Sequence, residues 1–555
     1  MDLRYGKKNA FSKADRRRQN VQQIIRKIST QVQMVGVVKM PGDTLRKLFK
    51  SILPQWKVCF FSAIAVGLLA HLYKITNWLP NWDSLVFRYD SQNMVSLGRW
   101  FLPVICSFSS YYDLPFLNGI LAIIFHAVGA VLVCKILKVE KPVSAFLIGG
   151  IIISFPTVTS VMMYNYVADA YGFAFLLSVL AAMLLTEEKP HPIGAAILIA
   201  LSAGIYQAYI TVTIMLILLK LIDEIIYHDA GFKPILKRCV ISLLAGIAGV
   251  ILYAALLAFA LMVTNSELLE YQGISSTASL SGFNLRASLY TVKHTFINCF
   301  FDWSKGVNAY LILNTAVTAF TLSHYAKYII KNKVYKKPAT VFLLIVLCIA
   351  LILGSCALAF INADVDYHNL MLMGCSIFYL FFLALYERGT DNQKFTATKR
   401  WTVLLIASAI ICNQIVIANV SYHKAQIAYE KSYGVIIRIA DRIEQNPEAD
   451  RCQKLPVVGA LENSEQYSVN LTPNITGITD GYIIRADDET VGQSVLCSAL
   501  NDYCGKNYDF VSGENKDAML EREEIQLMKK WPAKESVAVI DNVIVIKLST
   551  EGERN

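Results

Sequence analysis

The chain has 555 residues, of which 55% are hydrophobic and only 17% charged, whereas soluble domains average about 45–50% apolar and about 25% charged. Apolar runs of roughly twenty residues recur, the length a helix needs to cross about 30 Å of hydrocarbon, which excludes a soluble fold. The formal net charge of +10 is concentrated in residues 1–57, which carry fourteen Lys and Arg against Asp2, Asp15 and Asp43 and leave the remainder near neutrality. A basic segment directly in front of an apolar run reads as a cytoplasmic tail (residues 1–56) anchored by the positive-inside rule and touching membrane lipid, not as a nucleic-acid surface. It is also far too long for a cleavable signal peptide.

Lys57–Tyr73 is the first predicted span, and Asn81–Trp100 then follows as the first outer loop. Further spans read at 116–137, 143–163 and 169–186. The run from Ile193 to Ile226 would be about 50 Å long as one helix, too long for an ordinary crossing. Polar and aromatic residues interrupt it at Gly204-Ile205-Tyr206-Gln207-Ala208-Tyr209. Later spans fall at 239–263, 308–330, 338–361, 368–387 and 401–420. If the 193–226 run turns back at that interruption, Lys233, Lys237, Arg238, Lys327, Lys331, Lys333, Lys336, Lys337, Arg388, Lys394, Lys399 and Arg400 all lie in cytoplasmic connections. A single crossing would put all twelve outside, against the positive-inside rule.

The expected architecture is therefore an all-α polytopic membrane protein of about eleven spans over residues 57–420, with a small extracytoplasmic α/β domain over residues 421–555. In that tail Ala425, Ala428, Ser432, Val435, Ile439 and Ile443 recur at helical spacing, and Val537–Ile540 and Val543–Ile546 flank Asp541-Asn542 as a hairpin. The tail carries no catalytic constellation and reads as a cover or an acceptor-docking domain. The twelve cysteines are scattered through mostly apolar text without metal spacing, and a bridge between Cys497 and Cys504 is left open.

Candidate chemistry gathers on the outer side. Asp83 and Asp90 lie seven residues apart, on nearly the same face if the loop is helical, together with Arg88, Arg99, Trp82 and Trp100. Such carboxylates can act as bases or as plain solvated charges, and the tryptophans alone read as an interface belt. Asp169 opens a span behind Tyr164, where a carboxylate also favours a helix N-terminus. Tyr206, Gln207 and Tyr209 lie deep in apolar text, where polar groups need partners or a cavity. Asp364, Asp366 and His368 form a further outer cluster, and Arg286 and Lys293 are among the few basic residues left on that side. No nucleotide-binding loop and no HExxH occurs. A site on the outer face has no access to cytoplasmic nucleotide-sugars, so a lipid-linked donor suits it.

Asn81-Trp82-Asp83-Ser84-Leu85 followed by Gly98-Arg99-Trp100 resembles the first outer loop of the bacterial type-II Gtr glucosyltransferases. Tyr164 with Asp169-Ala170-Tyr171-Gly172, the stretch Gly204–Tyr209 and the closing Ser536–Leu548 are similar to later motifs of that family, so the resemblance spans about residues 50–548. It implies a GT-C-like membrane fold, a polyprenyl-phosphate-glucose donor, a surface-polysaccharide acceptor, and separate proteins that synthesise and flip the donor. It further implies Asp83 as catalytic base with Asp90 as substitute, and Arg99 on the lipid phosphate with Arg88, Arg286 and Lys293 in reserve. Tyr164, Asp169, Tyr206 and Gln207 would line the substrate site, and His368 stands where some relatives carry an arginine. A divalent metal, Mg or Mn, could bridge carboxylate and phosphate through hard oxygen ligands, although no residue pattern demands one. The competing class is a transporter or flippase of lipid-linked glycans, in which paired repeats with matching broken helices are common. This sequence has one such break and no repeat.

Overall fold

The computed structural model describes residues 52–86, 94–269, 284–302, 306–361, 365, 367–388, 393–459, 461, 491–511, 518–519 and 521–549. Arg88, Asp90, Asp364 and Asp366 lie outside them. The described chain is mostly helical, with a small sheet near its C-terminal end.

Among the described residues, six helices are long and apolar enough to cross a membrane: Pro54–Thr76 (α1), Pro115–Ile136, Asn165–Thr186, Phe232–Thr264, Pro338–Ser355 and Lys394–Glu444. Between α1 and the second of them lies a five-residue helix, Trp82–Val86 (α2). Pro115–Ile136 is α3, and Pro142–Ser154 (α4) with Pro156–Met163 (α5) forms a pair bent by 42° that brings the number of spans to seven if counted as one. Ala168–Thr186 is α6, Pro192–Ile205 α7, Ile210–Tyr227 α8, Phe232–Thr264 α9 and Leu285–Phe301 α10. Ala309–Lys331 (α11), Pro338–Ser355 (α12), Ile377–Glu387 (α13), Gln393–Glu444 (α14) and Val491–Cys504 (α15) complete the helices used below.

Local sequence accounts for many of these boundaries. Pro115, Pro142, Pro156, Pro192 and Pro338 each stand in the first turn of a helix, where a missing N–H costs nothing. Pro156 also ends α4, because its ring cannot continue that helix through Phe155. Asn284 and Asn308 cap α10 and α11, their side chains accepting from Ala287 N at 3.1 Å and Leu311 N at 2.9 Å. The interruption expected at 204–209 is present: Tyr206 is extended (φ −156°, ψ 117°), and a short 3₁₀ turn, Gln207–Tyr209, leads into α8.

The environment of these helices is apolar. Leu243, Leu244, Ile247, Ile251 and Phe259 of α9 are exposed, a face far larger than water tolerates on a monomer. Inside the bundle, polar groups pair across helices. His71 Nδ1 lies 2.7 Å from Tyr422 Oη and its Nε2 3.0 Å from Ile153 O, linking α1, α4 and α14. Arg388 clasps both oxygens of Asp223 at 2.5 Å and faces the Tyr227 ring at 4.6 Å.

The last long helix, α14, has 52 residues and is about 78 Å long, more than twice the hydrocarbon thickness. It runs without a break through residues 420–421 and becomes part of the C-terminal unit. There Val435, Ile436, Ile439 and Ile443 pack with Leu455, Leu496, Leu500, Ile544 and Ile546. The sheet consists of β1 (Lys454–Leu455), β2 (Val457–Val458), β3 (Asp509–Phe510), β4 (Val537–Ile540) and β5 (Val543–Lys547), in the order β2-β5-β1-β3 with β4 antiparallel to β5. The expected hairpin is in register, Ile540 opposite Val543. Asp541 and Asn542 both take positive φ (50° and 61°), as a two-residue turn of this hand requires. All twelve cysteines are free thiols. Cys497 and Cys504 sit on one helix, about 10 Å apart along its axis, beyond the reach of a disulfide.

Candidate active site

The sequence places Asp83 in the first turn of α2, and Asn81 fixes that turn. Its Oδ1 accepts from Ser84 N at 2.9 Å, while its Nδ2 donates to Met163 O at 3.3 Å. One buried asparagine thus caps α2 and ties it to the end of α5, so Asp83 lies beside the segment that begins at Tyr164. The Tyr166 hydroxyl, fully buried, donates to the Asp83 carboxylate, and the Arg99 guanidinium is close enough for its charge to act on it. Burial raises the Asp83 carboxyl from its ordinary 3.8 to about 6; Arg99 and Tyr166 pull in the opposite direction and do not cancel it.

Arg99 is positioned by the Gly98 turn. Gly98 has φ +77°, and a Cβ there would come within 2.6 Å of both Gln207 Nε2 and Tyr253 Oη. Those two groups are what hold the turn. Gln207 Nε2 donates to Leu97 O at 3.1 Å, Tyr253 Oη donates to Gly98 O at 3.0 Å, and the Phe101 amide donates to Gly204 O at 2.8 Å. Trp100 packs flat against Gly204, where any Cβ would lie 2.6 Å from its ring. Gly98-Arg99-Trp100 is therefore docked directly on the helix interruption at Gly204–Tyr209. Within that contact Arg99 lies over the Tyr206 ring, 4.9 Å from its centroid, and Tyr206 stacks on Tyr171 at 4.6 Å with the planes 8° apart. Arg99 Nη1 also lies 3.2 Å from Met94 Sδ.

Asp169, two residues before Tyr171, is buried at the start of α6. It accepts from Asn118 Nδ2 at 3.1 Å and from Ser109. A neighbouring buried carboxylate, Asp113, accepts from Trp78 Nε1 at 3.2 Å and from Asn165 Nδ2 at 2.9 Å. Among the described residues, Ser84 Oγ, Trp100 Nε1, Asn165 Oδ1 and Tyr209 Oη are buried without a hydrogen-bond partner. Buried polar atoms are seldom left so, and these four come from the same short segments as the cluster.

The structure thus brings together Asp83, Arg99, Tyr164, Asp169, Tyr206 and Gln207. Tyr164 packs edge-on to Tyr166 at 6.5 Å. His368 leads into the 3₁₀ turn Asn369–Met371, which packs on α5. Arg286 and Lys293 are exposed on α10, which packs on α11 and α12. Arg88 and Asp90 lie outside the described residues. No group of three or more His, Cys, Asp or Glu suited to a metal is found among the described residues.

Tyr166 and Asp113 were not singled out from the sequence. Tyr166 is two residues from Tyr164 in an aromatic stretch that gives no reason to prefer either, and a single loop aspartate such as Asp113 is ordinarily solvated. Trp82 and Trp100, which read as an interface belt, are half-buried against other parts of the protein. Trp100 lies on Gly204, while Trp82 joins a cluster with Leu85, Ala428 and Val495.

A half-buried carboxylate bonded to a tyrosine and within reach of a guanidinium's charge, among helices long and apolar enough to cross a membrane, defines a polar site built into a membrane protein. Residues 72–381 match the family model described as Glucosyl transferase GtrII, and the chain belongs to that family. The match takes in every residue of the cluster and ends before α14, so the likeness at Ser536–Leu548 lies outside it. Comparison with curated proteins and with solved structures gave no match. The protein is accordingly a membrane glycosyltransferase that transfers a glucosyl group.

Proposed function

We propose that the chain moves glucose, or a related hexose, from a polyprenyl-phosphate-linked donor to a surface polysaccharide such as an O-antigen, on the outer side of the bacterial cytoplasmic membrane. The fold is of the GT-C kind with about eleven spans, a cytoplasmic N-terminal tail and an extracytoplasmic C-terminal unit. The interruption at Tyr206 supports that topology, because a turn there puts the twelve basic residues between Lys233 and Arg400 on the cytoplasmic side. Other proteins must make and flip the donor.

One observation carries the mechanism: Asp83, raised to about 6 by burial and bonded to Tyr166, lies within reach of the Arg99 charge. A carboxylate of that basicity is largely ionised at neutral pH and accepts a proton more readily than an ordinary aspartate. In a single displacement the acceptor hydroxyl oxygen forms a bond to the sugar C1 as its proton passes to Asp83. The bond from C1 to the phosphate oxygen breaks, and polyprenyl phosphate leaves. Arg99, already oriented by Tyr206 and the Gly98 turn, offers a planar guanidinium to the phosphate. Tyr164, Asp169 and Gln207 line or brace the sugar site, and Asp90 is the alternative base.

The test is transfer from polyprenyl-phosphate-glucose to cell-envelope glycan by purified wild type, Asp83→Asn and Asp90→Asn. Loss in Asp83→Asn alone is the expected result. Normal transfer by both variants would overturn the assignment of the base, and no transfer by wild type from any lipid-linked sugar would overturn the reaction.

A further inference from the structure

The C-terminal unit does not merely follow the bundle; it lies on the helix that carries the proposed base. α15 packs directly on α2, with Leu85, Ala428 and Val495 sharing one buried cluster that Trp78, Trp82 and Tyr429 border. From that border a row of aromatic rings runs outward. Trp78 meets Tyr429 edge-on at 5.7 Å, Tyr429 meets Tyr433 at 6.1 Å, and Tyr433 meets Tyr503 edge-on at 5.1 Å. The Tyr429 and Tyr503 hydroxyls are 2.9 Å apart, joining α14 to α15. Tyr433, at the outer end, is 41% exposed.

We propose that this row, from Trp78 through Tyr429 to Tyr433 and Tyr503, is a binding track for the pyranose rings of the acceptor glycan. The inference rests on the glycosyl-transfer reading above. Three features favour a glycan as occupant. The row is continuous with the α2 helix bearing Asp83, the place an acceptor hydroxyl must reach. It lies along a helix that outruns the hydrocarbon, with Tyr433 about 18 Å past residue 421 at 1.5 Å per residue, so lipid chains do not cover it. Its rings are mostly phenols, which join an apolar face to a polar edge. A pyranose has the complementary build, with C–H bonds on its faces and hydroxyls on its rim. Polar groups flank the row: the Tyr73 hydroxyl donates to Gln426, and Gln426 Nε2 donates to Glu430 at 2.8 Å.

The track is tested by binding rather than by turnover. Full-length protein carrying Asp83→Asn is placed in nanodiscs, so that no transfer occurs, and titrated with lipid-free surface polysaccharide isolated from cells lacking the transferase. Adding Tyr433→Ala should weaken binding by about threefold to tenfold, the loss of one stacked ring. Tyr433→Phe should restore it, since the ring face makes the contact. In the otherwise wild-type enzyme Tyr433→Ala should raise the acceptor KM by a similar factor and leave the donor KM within about twofold. Unchanged polysaccharide binding in both Tyr433→Ala and Tyr503→Ala would overturn the track while leaving the transfer assay intact. A loss confined to association with protein-free lipid vesicles would also overturn it, by making the row a membrane contact.

Discussion

Two polar clusters stand at opposite ends of the same helices and are built in opposite ways. At the end where α3 finishes, α4 begins and α8 finishes, acids and bases are joined in a network of ion pairs. Asp223 is clasped by Arg388 at 2.5 Å, Glu224 by Arg238 at 2.5 Å, Glu387 by Lys141 at 2.9 Å, and Lys337 pairs with Asp229. Lys399 donates to Arg388 O and, at 3.1 Å, to Tyr328 Oη. At the end where α1 and α7 finish and α6 begins, Asp83 has a tyrosine hydroxyl and a nearby arginine, yet its carboxyl is raised, not lowered. Arg99 meanwhile faces an aromatic ring. The first arrangement satisfies its charges and braces the bundle. The second leaves a carboxylate basic and a guanidinium oriented, which is what general-base transfer from a phosphate-linked donor needs.

Substitutions can break this contrast, and the largest effect belongs to the site. Asp83→Asn should lower kcat by about 10²–10⁴-fold, the usual worth of a general base, in the transfer assay. It should not destabilise the protein at pH 8. A carboxyl raised from 3.8 to about 6 disfavours the folded state wherever it is ionised, so the neutral amide removes a penalty that is full above about pH 6 and gone below about pH 4. Thermal melts in detergent at pH 8 and pH 4 read that difference. The opposite end should behave in the reverse manner. Arg388→Met strands the buried Asp223 and should cost about 3–5 kcal/mol of stability, seen as a lower melting temperature and a poorer yield of folded protein.

A smaller effect is expected where the site is braced. Gly98→Ala introduces a side chain at φ +77°, a conformation costing roughly 1–2 kcal/mol for an L-residue, and pushes on Gln207 and Tyr253. It should raise the donor KM through Arg99 more than it lowers the melting temperature, a split visible in steady-state kinetics beside a melt.

Much of this organisation was legible in the sequence because it rests on local rules. The length of the apolar runs marked six of the expected spans, which are helices long and apolar enough to cross a membrane. The polar break in a run too long for one crossing marked Tyr206, and Asp541-Asn542 between two valine-rich strands marked the hairpin. Asp83 and Arg99 were legible because they are charged where charge is costly or counter to topology. What escaped was contact at a distance. Nothing in Gly98-Arg99-Trp100 announces that it docks on Gly204, or that Arg99 lies on Tyr206. Tyr166 looks like its neighbours until a carboxylate is found beside it. The packing of α15 on α2 joins segments some four hundred residues apart in sequence, and periodicity cannot tell which faces of two helices meet. Trp82 read as a membrane anchor for the same reason, its partners Ala428 and Val495 being supplied by the far end of the chain.

The pH dependence of kcat/KM, in wild type and in Tyr166→Phe, bears most directly on Asp83 as the base. The proposed polyprenyl-phosphate-glucose donor is a phosphodiester that stays ionised throughout, so with it an acid limb reports the enzyme. In wild type, activity should fall as pH drops through about 6, where Asp83 takes up its proton. Tyr166 donates to the ionised carboxylate and holds its pKa down, so removing that hydroxyl should move the limb to higher pH while leaving the plateau within about tenfold. An acid limb near 4 in wild type, or one that stays in place in Tyr166→Phe, would contradict the assignment of Asp83 as the base.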